Sequence, residues 1–482
     1  MENKSVWEKY TEADRKKAFA FAEGYKAFLS SCKTEREAVE YVINDIEKQG
    51  FIEFSKAVKS RRKLKAGDKV YFCNMNKGII LFRIGKKSLE NGMAILGAHI
   101  DSPRLDVKQN PLYEDGGMAY LDTHYYGGIK KYQWVTVPLA LHGVIAKKDG
   151  TSVIVNIGED EDDPVFFVSD LLIHLASEQM EKKAAKVIEG EALDVIVGNM
   201  PLKIEPAKKG AKTAKAADEK NDAKDAVKSN VLAILKEYYG IEEEDFLSAE
   251  IEVVPAGKAR DAGFDRSLIL GYGHDDRVCA YPSYKALIDV KDPEFTGCCI
   301  LVDKEEIGSV GATGMQSRYF ENCLAELMNA AGCYSELALR RALANSFMLS
   351  SDVTAGFDPS YASKFDKKNV AYMGKGFAFN KFTGSRGKSG SNDANAEYLA
   401  AIRKVMDDED AQYQFCELGA VDAGGGGTIA YIMALYAMNV IDAGVPVLNM
   451  HAPHEAISKA DLYEAYRGYI AFLKGIDKAF NR

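Results

Sequence analysis

At 482 residues the chain is long enough for two or three domains and a large buried core. Its hydrophobic fraction of 47% is that of an ordinary globular protein, and a net charge of −9 argues against nonspecific nucleic-acid binding. Residues Met1 to Lys17 are polar and charged, so no signal peptide is expected, and eight cysteines without repeated CxxC spacing point to reduced thiols in the cytoplasm.

Along the chain, residues 1–104 begin with helical patterning and continue into strands around Val70–Ile84 and Ala94–Ile100. From 105 to 250 the texture changes. Alternating segments such as Gln133–Val137 and Ser152–Asn156 predict the hairpins of a β-rich insertion. Within it, 206–228 is rich in Lys, Ala and Asp and poor in large apolar residues, which predicts a mobile surface loop or else a solvated helix. An α/β pattern resumes near Ile251 and runs to the end, so one domain is expected from the two segments 1–104 and 251–482. Thr428–Leu448 is the longest mostly apolar stretch, but Asn439, Asp442 and Pro446 interrupt it. A core helix, then a turn at Gly444-Val445-Pro446 into the strand before His451, fits better than a membrane span.

The most informative segment is Cys298-Cys299-Ile300-Leu301-Val302-Asp303-Lys304-Glu305-Glu306-Ile307-Gly308-Ser309. An apolar run reads as a buried strand and ends in two adjacent carboxylates followed by glycine. Successive side chains on extended backbone point in different directions, so one glutamate can grip a metal while its neighbour handles a proton. A pair of surface glutamates is the plainer reading, but the same construction recurs. Apolar runs also lead into His99-Ile100-Asp101, His274-Asp275-Asp276, Asp352 and His451-Ala452-Pro453-His454. Ligands collect outside the carboxyl ends of strands in open α/β sheets. Five such ends offering His, Asp, Glu, Asp and His favour one metal site over five coincidences. Imidazole with carboxylate suits zinc, cobalt or manganese, and five donors suffice for two ions sharing a bridging carboxylate.

Several residues fit the pattern less directly. Lys381, Arg386 and Lys388 lie in a glycine- and serine-rich loop and either meet an acidic substrate side chain or are simply solvated, with Lys381 the best candidate. Gly424-Gly425-Gly426-Gly427-Thr428 resembles a phosphate cradle but lacks the GK[ST] ending. The backbone N–H groups of Gly426 and Gly427 are expected to face substrate from a helix start. His124, His142 and His174 in the insertion read as structural or lid residues, and His274 and His454 are surplus to the ligand count.

In this order the motifs GAHIDSPRLDVK from Gly97, HDDRVCAYPS from His274, DKEEIGSVGATG from Asp303, SSDVTAGFDP from Ser350 and NMHAPHE from Asn449 resemble the aspartyl aminopeptidases. That family comprises co-catalytic zinc exopeptidases, and the HDDR and KFTGSRGKSGSND segments look most like its bacterial branch. The resemblance implies a mixed-sheet α/β metallo-exopeptidase domain carrying a β-rich lid or dimerisation insertion. It implies that His99, Asp275 and Asp352 hold one metal, and Asp275, Glu306 and His451 the other. Glu305 would be the general base, and Asp101 would accept the second N–H of His99. It further implies peptide substrates cleaved at the N-terminal residue, a preference for Asp or Glu there, and a homo-oligomer up to a dodecamer. Two departures stand out: Asp170 lies where some members carry a lid histidine, and the loop from Asn380 to Asp393 is longer than in eukaryotic members. The rival readings are a metal-dependent deacylase on the same fold and a noncatalytic scaffold.

Overall fold

The computed structural model describes residues 4–59, 62–202 and 225–480. They form two compact units, one built from the chain up to Ser102 together with that from Lys258 onwards, the other from Pro103–Gly257.

The first unit is organised by a nine-stranded mixed sheet in the order Ile52–Glu53, Lys69–Asn74, Gly78–Arg83, Thr296–Val302, Met93–His99, Phe347–Ser350, Asn439–Gly444, Phe377–Asn380, Tyr413–Cys416. The four strands from Thr296–Val302 to Asn439–Gly444 are mutually parallel. Every residue of those four is buried, because helices cover both faces of the sheet. That explains the continuous apolar runs. Alternation along Met93–His99 sends Ala94, Leu96 and Ala98 into one core with Phe28, Tyr281 and Phe472. Met93 and Ile95 go to the other, with Leu324, Leu327 and Met348.

The helices follow from their own periodicity and caps. Thr34 starts Glu35–Lys48 with a capping box, its hydroxyl accepting the Glu37 N–H while the Glu37 carboxylate accepts the Thr34 N–H. The helix buries Ala38, Val39, Val42 and Ile46 on one stripe. Helices Glu12–Ser31, His274–Asp289, Ala396–Asp408 and Lys459–Ala479 supply the same core, whereas Tyr319–Ala331 and Glu336–Ala344 supply the opposite one.

A smaller five-stranded sheet in this unit runs Arg260–Ala262, Leu268–Gly271, Glu455–Ser458, Pro446–Leu448, Thr354–Ala355. Pro446–Leu448 and Glu455–Ser458 are antiparallel, and the loop between them carries His451. The apolar stretch Thr428–Leu448 contains a helix only at Ala430–Ala434. Asn439–Gly444, expected as core helix up to the turn at Gly444, is an interior strand of the large sheet instead. A strand buried on both faces is as uniformly apolar as a buried helix, so periodicity does not separate them.

The second unit is a six-stranded antiparallel sheet ordered Ser152–Ile157, Leu139–Ala146, Ala249–Pro255, Arg104–Asp115, Met118–Tyr126, Val195–Gly198. Gly116 and Gly117, at φ 59° and 77°, turn the hairpin between its two longest strands. Both central positions of such a turn need left-handed backbone, which glycine adopts without strain. Two expectations change here. Gln133–Val137 is not a strand: a 3₁₀ turn at Lys131–Gln133 precedes Trp134, whose burial in the core explains the apolar alternation. The boundary expected at 251 falls inside Ala249–Pro255, which pairs along its full length with Leu139–Ala146 and so belongs to this unit. Of the expected loop 206–228, the part up to 224 lies outside the described residues, and Ala226–Ile234 is helical.

Candidate metal centre

The carboxyl ends of three parallel strands lie side by side. His99 is the last residue of its strand, and Val302, the last of the next, is paired with it. Glu305 and Glu306 follow on a 3₁₀ turn at Glu305–Ile307, entered through Lys304 in left-handed backbone (φ 71°). Asp352 follows the strand Phe347–Ser350. The smaller sheet contributes the other two donors. Asp275 follows Gly273 and His274 at the start of the helix His274–Asp289, where Asp275 and Asp276 keep non-helical dihedrals. His451 sits on the hairpin loop with φ 65°.

These side chains converge. His99 Nε2 is 3.1 Å from Asp275 Oδ1, and His451 Nε2 is 3.2 Å from Asp275 Oδ2 and 3.4 Å from Glu306 Oε2. Three donor groups have ligand atoms within 4.8 Å of one another: His99 with Asp275 and Glu306, His99 with Glu305 and Asp352, and Asp275 with Asp276 and Asp352. Asp275 is thus the carboxylate that reaches both histidines. Asp276, its sequence neighbour, is fully buried and groups with Asp275 and Asp352.

Asp101 does more than the sequence indicates. The nearest partner of His99 Nδ1 is the Asp101 backbone oxygen at 3.0 Å, with the carboxylate Oδ1 at 3.3 Å. The two carboxylate oxygens also accept the N–H groups of Glu305 and Glu306, both at 3.2 Å. One side chain therefore ties the loop after His99 to the loop carrying both glutamates.

Electrostatics at this place are severe. Burial pushes Glu306 and Asp352 well above the usual carboxylate range, with neighbouring carboxylates adding to the rise. Burial pushes Glu305 up to about 7, the charge of His99 pulling the other way and those of Asp101 and Asp275 adding to it. Burial would also raise Asp275, but hydrogen bonds from His451 and His99 hold it well below the ordinary value. Among the described residues no lysine or arginine pairs with Asp275, Glu305, Glu306 or Asp352, and Glu306 Oε1 is buried without a hydrogen-bond partner. A buried oxygen lacking any donor, inside a set of imidazoles and carboxylates, fits a divalent cation of the zinc type.

The donors open onto a cleft of roughly 430 Å³. Gly426 and Gly427 line it, but the Gly426 N–H donates to Thr383 O at 3.0 Å and the helix that follows is only Ala430–Ala434. The Gly426 N–H is therefore spent within the protein rather than offered to substrate. Lys381 is not among the residues lining the cleft; its Nζ lies 3.7 Å from Asp393 Oδ1. Asn380 and Thr383 line it in its place. His274 is buried and shares a 2.8 Å hydrogen bond with the Tyr25 hydroxyl. Burial lowers its pKa to about 3, so it is a neutral core histidine.

Two buried carboxyls beside these donors drew no expectation from the sequence. Asp442, on the interior strand Asn439–Gly444, accepts the Thr428 hydroxyl at 2.6 Å, and burial pushes it up to about 7. Its one sequence signal was that it interrupts an apolar run. Glu455 accepts the N–H groups of Asp275 at 3.0 Å and His451 at 2.7 Å. It stood inside a recognisable motif, but a charged residue after histidine carries no sign of which backbone it will meet.

The chain resembles known proteins along nearly its whole length. The family model of the aminopeptidase I zinc metalloproteases, M18, matches residues 28–473. The chain is 58% identical over 472 residues to a probable M18 family aminopeptidase 1 of Clostridium acetobutylicum, covering 98% of each chain. Among solved structures, an M18 aminopeptidase from Thermotoga maritima superposes with a TM-score of 0.90 at 42% identity, over 98% of this chain and 100% of that one. Aminopeptidase I from Clostridium acetobutylicum superposes with a TM-score of 0.87 at 55% identity, over 98% and 99%.

One backbone approach makes the centre testable. A Cβ on Gly444 would lie 1.7 Å from the backbone oxygen of Asp352, whereas one on Gly427 would meet open space. Gly444→Ala is expected to displace Asp352 and lower the zinc bound per chain, while Gly427→Ala leaves it unchanged. Metal analysis after equilibrium dialysis, with circular dichroism as the check on folding, measures both.

Proposed function

The chain belongs to the M18 family of aminopeptidase I zinc metalloproteases, and on that premise we propose a two-metal mechanism on the residues just described. As an M18 aminopeptidase it is a metallo-peptidase, and that membership displaces the deacylase and scaffold readings. In our reading His99 and Asp352 serve one ion, Glu306 and His451 the other, and Asp275 both. The observation that carries it is the position of Asp275, whose two oxygens face the two histidines at 3.1 and 3.2 Å. Two bound ions would offset three carboxylates, polarise a carbonyl, and acidify a water from a pKa of about 15.7 to about 7. Zinc is the family's metal, and cobalt or manganese suit the same donors.

Glu305 moves the proton. Its carboxylate lines the cleft beside the donors, where it can take a proton from the attacking water and return it to the departing amine. Asp101 keeps the Glu305 and Glu306 backbone in register while the two side chains do different work. Glu305→Gln is expected to keep the metals and the fold and lose about 10²–10⁴-fold in turnover, the usual contribution of a positioned general base. Near wild-type turnover in that variant removes Glu305 from the mechanism.

Substrate choice follows from what lines the cleft. Val353, Leu418, Tyr431 and Met450 are joined by Asn380, Thr383, Thr428 and Ser309, with no lysine or arginine among the described lining residues. An acidic preference would need Lys381 to leave Asp393 and enter. The uncharged wall supports uncharged N-terminal residues instead. Aminoacyl-anilides of Asp, Glu, Leu, Lys and Ala, assayed before and after chelation with zinc, cobalt or manganese added back, test both points. We expect cleavage lost on chelation, restored by metal, and faster for Leu and Ala. Faster cleavage of Asp and Glu returns the role to Lys381.

We also read the chain as a cytoplasmic homo-oligomer, up to a dodecamer, acting on peptides with no nucleic-acid or membrane partner. All eight cysteines are free thiols, and no helix among the described residues is long and apolar enough to cross a membrane. In the second unit Phe167, Leu171, Leu172, Ile173 and Leu175 are exposed within nine residues of chain, Ile173 and Leu175 each by 68%. An apolar segment of that kind supports contact with further copies. Ile173→Asp combined with Leu175→Asp is expected to lower the mass measured by light scattering; a monomeric wild type overturns the assembly.

A further inference from the structure

Glu455 opens the strand Glu455–Ser458 and is paired with Gly271 on the strand that leads to Asp275. It is 1% exposed, and both its oxygens are used. Oε2 accepts the N–H of Asp275 and Oε1 the N–H of His451. The helix His274–Asp289 has no side-chain cap from Gly273, and the dihedrals of Asp275 and Asp276 leave the helical region. The Asp275 N–H is therefore one of the orphan donors of a helix start, and Glu455 satisfies it from another element. His451 stands in left-handed backbone on a hairpin loop, and the same carboxylate holds its N–H.

We propose that Glu455 is a positioning residue for metal binding: its carboxylate sets the spacing between the Asp275 and His451 backbones so that their side chains meet. This rests on the reading of Asp275 and His451 as ligands. Asp275 Oδ2 and His451 Nε2 are 3.2 Å apart although one residue begins a helix and the other rides a loop. Asp101 does the equivalent for Glu305 and Glu306. The centre is thus built from two carboxylates that bind backbone N–H groups and a second set that does not.

The test uses the full chain with Glu455→Gln and Glu455→Asp. Glutamine keeps one acceptor and turns an amide N–H toward the other donor; aspartate keeps the charge but is one methylene too short to reach both N–H groups. Each protein is stripped of metal, titrated with cobalt followed by visible absorption, and with zinc against a competing chelator. The expected result is affinity weakened about 10–100-fold, the usual effect of losing a group that orients a ligand. An altered cobalt spectrum and a fall in kcat larger than the change in KM should accompany it. Asp461→Asn is the comparison, because Asp461 is a buried carboxylate that accepts the N–H groups of Gly374 and Gly376, each at 2.7 Å, and belongs to none of the donor groups. It should lose thermal stability and keep wild-type metal affinity.

Variants of Glu455 that lose stability as Asp461→Asn does while binding cobalt and zinc like the wild type overturn the proposal. So does failure of both to fold with or without zinc, since that makes Glu455 a fold residue. If glutamine alone fails to fold, the aspartate variant decides. A wild type that binds neither metal would instead sink the reading of the centre, and so the two failures are told apart.

Discussion

Repulsion between buried carboxylates is the constraint around which this molecule is arranged. At an effective dielectric constant near 20, two unit charges 4 Å apart interact by roughly 4 kcal/mol. Glu305, Glu306, Asp275 and Asp352 all lie within that kind of reach of His99 or of one another. The protein answers with a division of labour. Asp101 and Glu455 are each satisfied by backbone N–H groups. Glu306 keeps an oxygen with no donor at all. A carboxylate met by N–H groups is a fixed structural part, whereas the unmet Glu306 oxygen, among imidazoles and carboxylates, fits a cation.

Holding such a cluster requires backbone that does not give way, and the two sheets of the first unit provide it jointly. The nine-stranded sheet delivers His99, the glutamates and Asp352 from strands buried on both faces. The five-stranded sheet delivers Asp275 and His451. The chain passes between the sheets next to the centre: Asp352 is followed by Thr354–Ala355, and Gly444 by Pro446–Leu448, and these two short strands pair. Only glycine allows the Gly444 backbone to lie against Asp352 there. The proposed metal ligands are placed where the two sheets exchange strands.

Much of this was legible beforehand because buried parallel strands are uniformly apolar, which makes a polar residue at their ends conspicuous. His99, Glu305, Glu306 and Asp352 announce themselves that way, and His451 follows a short apolar strand of the smaller sheet. What stayed illegible depends on partners distant in sequence. Asp275 and Asp276 share one irregular turn, and only the placement of His99 and His451 separates them. Lys381 is a plausible cation for substrate until Asp393, twelve residues on, is seen to pair with it. Gly426 reads as a free N–H until the Thr383 carbonyl takes it. Asn439–Gly444 shows why an apolar run by itself does not distinguish helix from strand.

Backbone strain at the centre shows why its carboxylate partners are needed. Lys304, Ser309, Asn449 and His451 all stand in left-handed backbone at φ between 61° and 71°, a conformation costing a residue other than glycine roughly 1–3 kcal/mol. They flank or include the proposed ligands, on the two loops that no regular ladder holds. Such strain persists only where surrounding contacts over-determine it. Those contacts are visible: Asp101 accepts the N–H groups of the two residues that follow Lys304, and Glu455 accepts that of His451 itself. The strain turns Glu305 and Glu306 out of strand geometry, so that adjacent carboxylates take separate positions. A relaxed loop in either place would let the ligands drift apart under their own repulsion.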